Sequence, residues 1–237
     1  MNVLAFDTCL GACSVALSRA AAEGDSARTE RIWRYEAMAI GHAERLMPMI
    51  EEVLAEAGGG LTDIDAIAVT EGPGTFTGLR VGVAAARGLA LAAQRPIRAT
   101  TSLHVMGQQA IAELQATLDG RVLAVCMDAR AGQMFVQYID GAGGDPLTAA
   151  ELLLPDQAVL RAPQREVVCV GSGALAFAGA AATLGGCAVE TALPDLQPDA
   201  RALAALAPRL PERKPLLPLY LRLPDAKPQL GKSLPRA

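Results

Sequence analysis

Two aspartates stand at matching places in the sequence, and their surroundings suggest phosphate or metal chemistry. Val3-Leu4-Ala5-Phe6-Asp7 is an apolar run that ends on an acid and passes into a turn containing Gly11. The run ending at Asp128 repeats the pattern, with Gly132 in the turn that follows. An aspartate at the carboxyl end of a strand can orient a metal-bound nucleotide or a water. Two such hairpins facing each other can grip phosphate through turn N–H groups. The same acids also serve as turn caps that accept local backbone N–H groups. Recurrence of the unit raises the first reading to the level of the second.

Gly72-Pro73-Gly74-Thr75-Phe76-Thr77-Gly78 lies between an apolar strand and a helix, where backbone donors gather. Leu79 and Arg80 follow Gly78 in place of Lys-Ser/Thr, so this is no Walker A loop. The glycine spacing also misses G-x-G-x-x-G, and no acid stands between Gly78 and Glu113 to hold a ribose. A sharp turn with Thr77 as helix cap accounts for the run. Gly171-Ser172-Gly173, after another apolar run, could admit a purine against the backbone or simply turn the chain.

The two histidines, His42 and His104, cannot form a paired-histidine metal motif, because the residue one helical turn after His42 is Leu46. No G-x-S-x-G elbow is present. Ser-His-Asp and Cys-His arrangements stay open. The sequence thus offers no catalytic and no metal-ligating residue.

The elements that would carry these residues alternate between strand and helix. Strands are expected over 3–7, 13–17, 31–35, 64–70, 97–101, 121–128, 134–139 and 167–170. Ala43, Leu46, Met47, Ile50, Val53, Leu54 and Ala57 recur at helical spacing, and Gly58-Gly59-Gly60 ends that helix. Pro48 should kink it or delay its start. A second helix from about Gly78 to Gln94 contains Gly78, Gly82 and Gly88. Each glycine costs about 1 kcal/mol relative to alanine, so another backbone should pack close to it. Ser102 caps a third helix, an alanine-rich helix follows Gly173, and a last one spans 199–207. The result is an α/β fold of two similar halves, 1–101 and 102–208, with a proline-rich basic tail at 209–237.

The 237 residues are 51% hydrophobic and 3% aromatic, so the core is aliphatic and base-stacking platforms are scarce. No uninterrupted run of about eighteen apolar residues occurs, so no membrane span is expected. The N-terminus lacks the basic start of a signal peptide. Five cysteines without a C-x-x-C pair read as reduced, mostly buried thiols of a cytoplasmic protein. Net charge is −4, with +5 in the tail and −9 elsewhere. The tail is a solvated terminus or a phosphate contact.

Val3–Thr8, His42–Pro48, Glu71–Arg80 and Tyr220-Leu221-Arg222 together resemble the TsaB (YeaZ-type) proteins, in order and spacing over nearly the whole chain. Gly72–Arg80 is the most specific of these pieces. The resemblance implies an actin, Hsp70 and sugar-kinase-like fold of two halves, each a mixed sheet with helices. It implies an accessory, non-catalytic role beside a TsaD-type homologue and a TsaE-type ATPase in forming threonylcarbamoyladenosine in tRNA. It further implies tRNA contact through the complex, no cofactor of the chain's own and ATP bound by the assembly, while the apolar helical stripe suggests a homodimer when the chain is alone. Asp7, Thr8, Asp128, Gly171 and Gly173 would be a degenerate phosphate site. Cys9 stands where glycine is usual, and Ser172 separates two glycines that are usually adjacent. The partner surface would be formed by the first two helices, through Leu46, Met47, Ile50, Val53, Leu54, Gly78, Gly82, Ala85 and Leu89. Docking two helices from each partner would make a four-helix bundle. The rival readings are an ATP-dependent kinase-like or carbamoyl-transfer enzyme using Asp7 and Asp128, and a metallopeptidase.

Overall fold

The computed structural model describes residues 1–19, 30–118, 120–185 and 189–222. Cys187 and the tail beyond Arg222 lie outside the described residues.

Strands β1 (Val3–Asp7), β2 (Ala12–Arg19), β3 (Glu30–Ala37), β4 (Ala66–Thr70) and β5 (Ile97–Thr100) form one sheet in the order β3-β2-β1-β4-β5. Strands β6 (Val122–Asp128), β7 (Met134–Asp140), β8 (Glu151–Leu153), β9 (Val167–Val170) and β10 (Val189–Ala192) form the other, in the order β10-β9-β6-β7-β8. Each sheet is an antiparallel meander of three strands joined to two parallel ones. The halves therefore share one topology, with Asp7 and Asp128 ending equivalent central strands. This is the duplicated actin-like arrangement that the resemblance implies.

Helices α1 (His42–Glu56) and α2 (Phe76–Ala93) cover one face of the first sheet, and α3 (Ser102–Leu114) begins directly after β5. In the second half α4 (Pro155–Arg161), α5 (Ala174–Leu184) and α6 (Ala200–Leu206) hold the matching positions. The two last helices are exchanged. Helix α3 packs on the second sheet with Leu103, Met106 and Ala110, whereas α6 packs on the first with Ala200, Leu203 and Ala204. This exchange explains why β1 is buried on both faces. Leu4 and Phe6 meet α1 and α2, while Val3 and Ala5 meet α6.

The boundary at residue 102 divides the sheets, yet α6 returns to the first half. The segment after α6 stays there too. Arg213 N–H donates to the Ile97 carbonyl at 2.8 Å, Leu219 N–H to the Glu71 carbonyl at 2.7 Å, and Leu216 is buried in the first core. The segment is thus fastened beside β5 at Glu212 and Arg213 and beside the end of β4 at Leu219, and the tail begins as a packed strap.

Local differences from the sequence reading have simple causes. Thr75, not Thr77, caps α2, its hydroxyl accepting the Gly78 N–H. Thr101 caps α3 in the same way through His104 N–H, so Ser102 is already helical. Helix α1 begins at His42 and includes Pro48, so the proline does not delay its start. Strands β8 and β10 and helix α4 are short, and they show little periodicity to read. Helix α2 is long and apolar enough to pass for a membrane span by length and composition. Here it lays Gly78, Leu79, Gly82, Val83 and Ala86 onto its own sheet.

Candidate functional site: the cleft between the halves and the outer helical face

Asp7 ends β1 in complete burial. One carboxylate oxygen accepts the Thr70 hydroxyl and the other accepts Cys9 N–H at 3.2 Å. Burial pushes its pKa up to about 6 against the smaller lowering effect of these hydrogen bonds. The Cys9 thiol, 3.2 Å from the Thr70 hydroxyl, is held well above its ordinary range by burial and by Asp7. Asp7 therefore sits in a closed polar knot that caps its own turn, out of reach of solvent.

The Gly72–Gly78 run makes that closure. Thr75 N–H donates to the Cys9 carbonyl at 2.7 Å, and a Cβ on Gly74 would lie 2.3 Å from the same oxygen. A Cβ on Gly78 would lie 1.9 Å from the Thr8 carbonyl, and one on Gly82 would lie 2.8 Å from the Thr8 hydroxyl. The close-packed backbone that the glycines of α2 imply is the chain's own first turn.

The second turn is built with the same economy of donors. Asp128 N–H donates to the Ser172 hydroxyl at 3.0 Å, and Gly173 N–H to the Cys126 carbonyl at 3.1 Å. Gly171 has φ 89°, and a Cβ there would lie 2.3 Å from the Cys126 carbonyl. Across the cleft, Gly11 N–H donates to the Gln197 side-chain carbonyl at 3.0 Å. A cavity of about 310 Å³ separates the two turns, lined by Leu10, Gly11, Thr75, Asp128, Ser172 and Gln197 among others.

These contacts decide the fit of ATP, the ligand implied by an actin-like fold. Phosphate binding between two hairpins depends on turn amides that point outward with no internal partner. Here the amides of Cys9, Gly11, Asp128 and Gly173 already donate within the chain. Asp7 and Thr8 are buried, and only Asp128 of the two acids is exposed. The residues present do not fit a nucleotide phosphate chain held in that manner. Among the described residues, no three of His, Cys, Asp and Glu come together as a metal site. His42 instead bonds the Leu10 carbonyl at 2.9 Å, and His104 bonds Thr100 and the Gly144 carbonyl.

The helical face also differs from the sequence reading. Leu46, Ile50 and Val53 are buried in the core under α1, and Gly78 and Gly82 face Thr8, so five of the nine expected interface residues point inward. The apolar stripe of α1 is the part that covers its own sheet. Met47 is exposed, while Leu54, Ala85 and Leu89 are half-buried at the edge of that core. The exposed apolar residues on and before these helices include Ile40, Met47, Ala84, Leu91 and Ala92, with Gly88, Glu44, Glu51 and Arg87 also exposed; Ile40 is 86% and Leu91 82% exposed. A Cβ on Gly88 would meet nothing within 4 Å, so this glycine faces open space. Ile40 escaped the sequence reading because it precedes the helix; Gln197 did so because its partner is far away in sequence. Periodicity could have found Leu91 and Gly88, which fall opposite Leu79, Val83 and Ala86.

A model of the tRNA N6-adenosine threonylcarbamoyltransferase family, TsaD, matches residues 36–165. The tRNA threonylcarbamoyladenosine biosynthesis protein TsaB of Escherichia coli K12 is 39% identical over 135 residues, covering 57% of this chain and 53% of that protein. The TsaB of Haemophilus influenzae is 37% identical over 139 residues, covering 59% and 54%. The chain thus spans about half the length of the curated relatives it matches. A Pseudomonas aeruginosa crystal structure, described as similar to the peptidase YeaZ, superposes with TM-score 0.76 at 31% identity, covering 93% of this chain and 99% of that one. The match over more than half of the sequence, and over nearly all of the fold, makes the chain a TsaB (YeaZ)-type member of the tRNA N6-adenosine threonylcarbamoyltransferase family.

Proposed function

We propose that the chain is a non-catalytic partner of a TsaD-type transferase in forming threonylcarbamoyladenosine in tRNA. The observation that carries this reading is the cleft, whose turn amides and first aspartate are satisfied within the chain. Turn amides already bonded within the chain suit a scaffold better than an enzyme acting on phosphate. The outer face of α1 and α2 supplies the docking surface, through Met47, Gly88 and Leu91 with Leu54, Ala85 and Leu89 at its margin. An apolar face with a helical glycine open to its surroundings permits close approach of a second helix pair. The same face would pair two copies of the chain when the transferase is absent. The TsaE-type ATPase, tRNA and ATP would then join the assembly rather than this chain alone, in the cytoplasm.

Reconstitution tests the reading. Threonylcarbamoyl transfer to tRNA by the TsaD homologue should rise at least tenfold when this chain is added. The chain alone should transfer nothing. Transfer by the chain alone, lost in Asp128→Ala, would make it an enzyme.

A further inference from the structure

Charge is sorted across the outer helical face. Helix α2 contains Arg80 and Arg87 and no acid, whereas α1 contains Glu44, Glu51, Glu52 and Glu56 with Arg45 as its one base. Glu36 and Glu52 take up Arg45, and Arg34 of β3 takes up Glu56. Among the described residues, Glu44, Glu51 and Arg87 make no ion pair, although all three are exposed. Arg80 is steadied by the Tyr220 hydroxyl at 2.7 Å and by the Phe76 ring, neither of which neutralises its charge. The acidic side of the face lies toward β3, which meets α1, and the basic side lies toward the strap, which meets α2 at Tyr220.

The two helices run parallel. Strands β3, β1, β4 and β5 point the same way, and α1 and α2 each return from the end of one strand to the start of another. Along each helix the unpaired charges stand seven residues apart, which is two turns or about 10.5 Å. Glu44 is the third residue of α1 and Arg80 the fifth of α2, so both sets begin in the first two turns.

Two copies brought face to face about a two-fold axis can meet in two ways. An axis running across the helices lays α1 on the partner's α1. Acid then meets acid on one side, and base meets base on the other. An axis running along the helices lays α1 on the partner's α2, and acid meets base on both sides. The apolar middle of the face, with Met47, Ala84, Gly88 and Leu91, serves either orientation. The charges choose between them, because like charges brought together at an interface are penalised.

We propose that two copies of the chain pair through this face with α1 of each lying on α2 of the other, Glu44 opposite the partner's Arg80 and Glu51 opposite the partner's Arg87. The pairing rests on the docking role of the face given above, and adds the orientation and the residues that set it.

The test is sedimentation equilibrium of the full-length chain at low salt, as wild type, Glu51→Arg, Arg87→Glu and the double variant. Neither position has an ion pair to lose within the chain, so melting temperatures should not change. The wild type should dimerise. Each single reversal puts two like-charge contacts into the dimer, one per copy, and should weaken it about tenfold. The double variant exchanges the signs and should return to within about threefold of the wild type. In the other orientation Glu51 would face the partner's Glu44 and Arg87 the partner's Arg80, so each single reversal would tighten the dimer. Tightening, or no change, in both single variants overturns the proposal, as does a wild type that stays monomeric. Loss of the dimer in Leu91→Glu, with no response to either charge reversal, would keep the docking face and discard this orientation.

Discussion

Gly78 rides on the backbone of Thr8, so close that a Cβ would stand 1.9 Å from the Thr8 carbonyl oxygen. The first turn of α2 is thereby pressed onto the end of β1, and the Gly72–Gly78 loop closes over Asp7. Gly78→Ala should therefore destabilise the protein by about 3 kcal/mol or more in urea unfolding, through forced backbone movement. Gly88→Ala, on the open side of the same helix, should instead stabilise the monomer by about 1 kcal/mol. Equal effects of the two substitutions would contradict the packing described.

Asp7 makes stability depend on pH. Its carboxyl is raised from 3.8 to about 6 by burial, so between those values the folded chain keeps a proton that the unfolded chain has released. This group's contribution is therefore favourable at low pH and is lost as pH rises through 6, by about 3 kcal/mol at most. Subtracting the stability curve of Asp7→Asn from that of the wild type isolates it. The difference should fall between pH 4 and 6 and be flat above 7. A flat difference throughout would show that Asp7 is not buried as described.

The strap along β5 has one polar anchor of note. Arg213 forks onto both oxygens of Glu71, whose side chain is nearly buried while Arg213 is half exposed. Arg213→Ala should cost about 1–2 kcal/mol, chiefly by leaving the Glu71 carboxylate without its charged donor. Limited proteolysis should then cut residues 210–222 faster than in the wild type. Arg213→Lys should recover only part of the loss, because an ammonium cannot reproduce the fork.

The duplicated halves were legible because the central strands are apolar runs ending on an acid, and the turn glycines keep the same spacing. The helical glycines were legible as signs of close packing, but not of what packs. One-dimensional spacing shows that Gly78 and Gly82 share a face with Leu79 and Val83; it cannot tell a sheet from a partner. The stripe Leu46, Ile50, Val53 misled for the same reason, since a helix covering its sheet and a helix docking a partner share one period. The exchange of α3 and α6 depends on contacts between distant segments, and so does the capture of Gly11 N–H by Gln197. Nothing local records them. The meeting of Phe76, Arg80 and Tyr220 likewise depends on the return of the C-terminal strap to the first half.

The docking role of the outer helical face is the central claim, and size-exclusion chromatography with light scattering tests it most directly. The chain would be run alone and mixed with its TsaD homologue, as wild type and as Leu91→Glu. Leu91 is 82% exposed, so the variant should keep the wild-type circular dichroism and melting temperature. A one-to-one heterodimer formed by the wild type and lost in the folded variant is the predicted result. A heterodimer that Leu91→Glu leaves intact, or no association by the wild type, would contradict the assignment of this face to a partner.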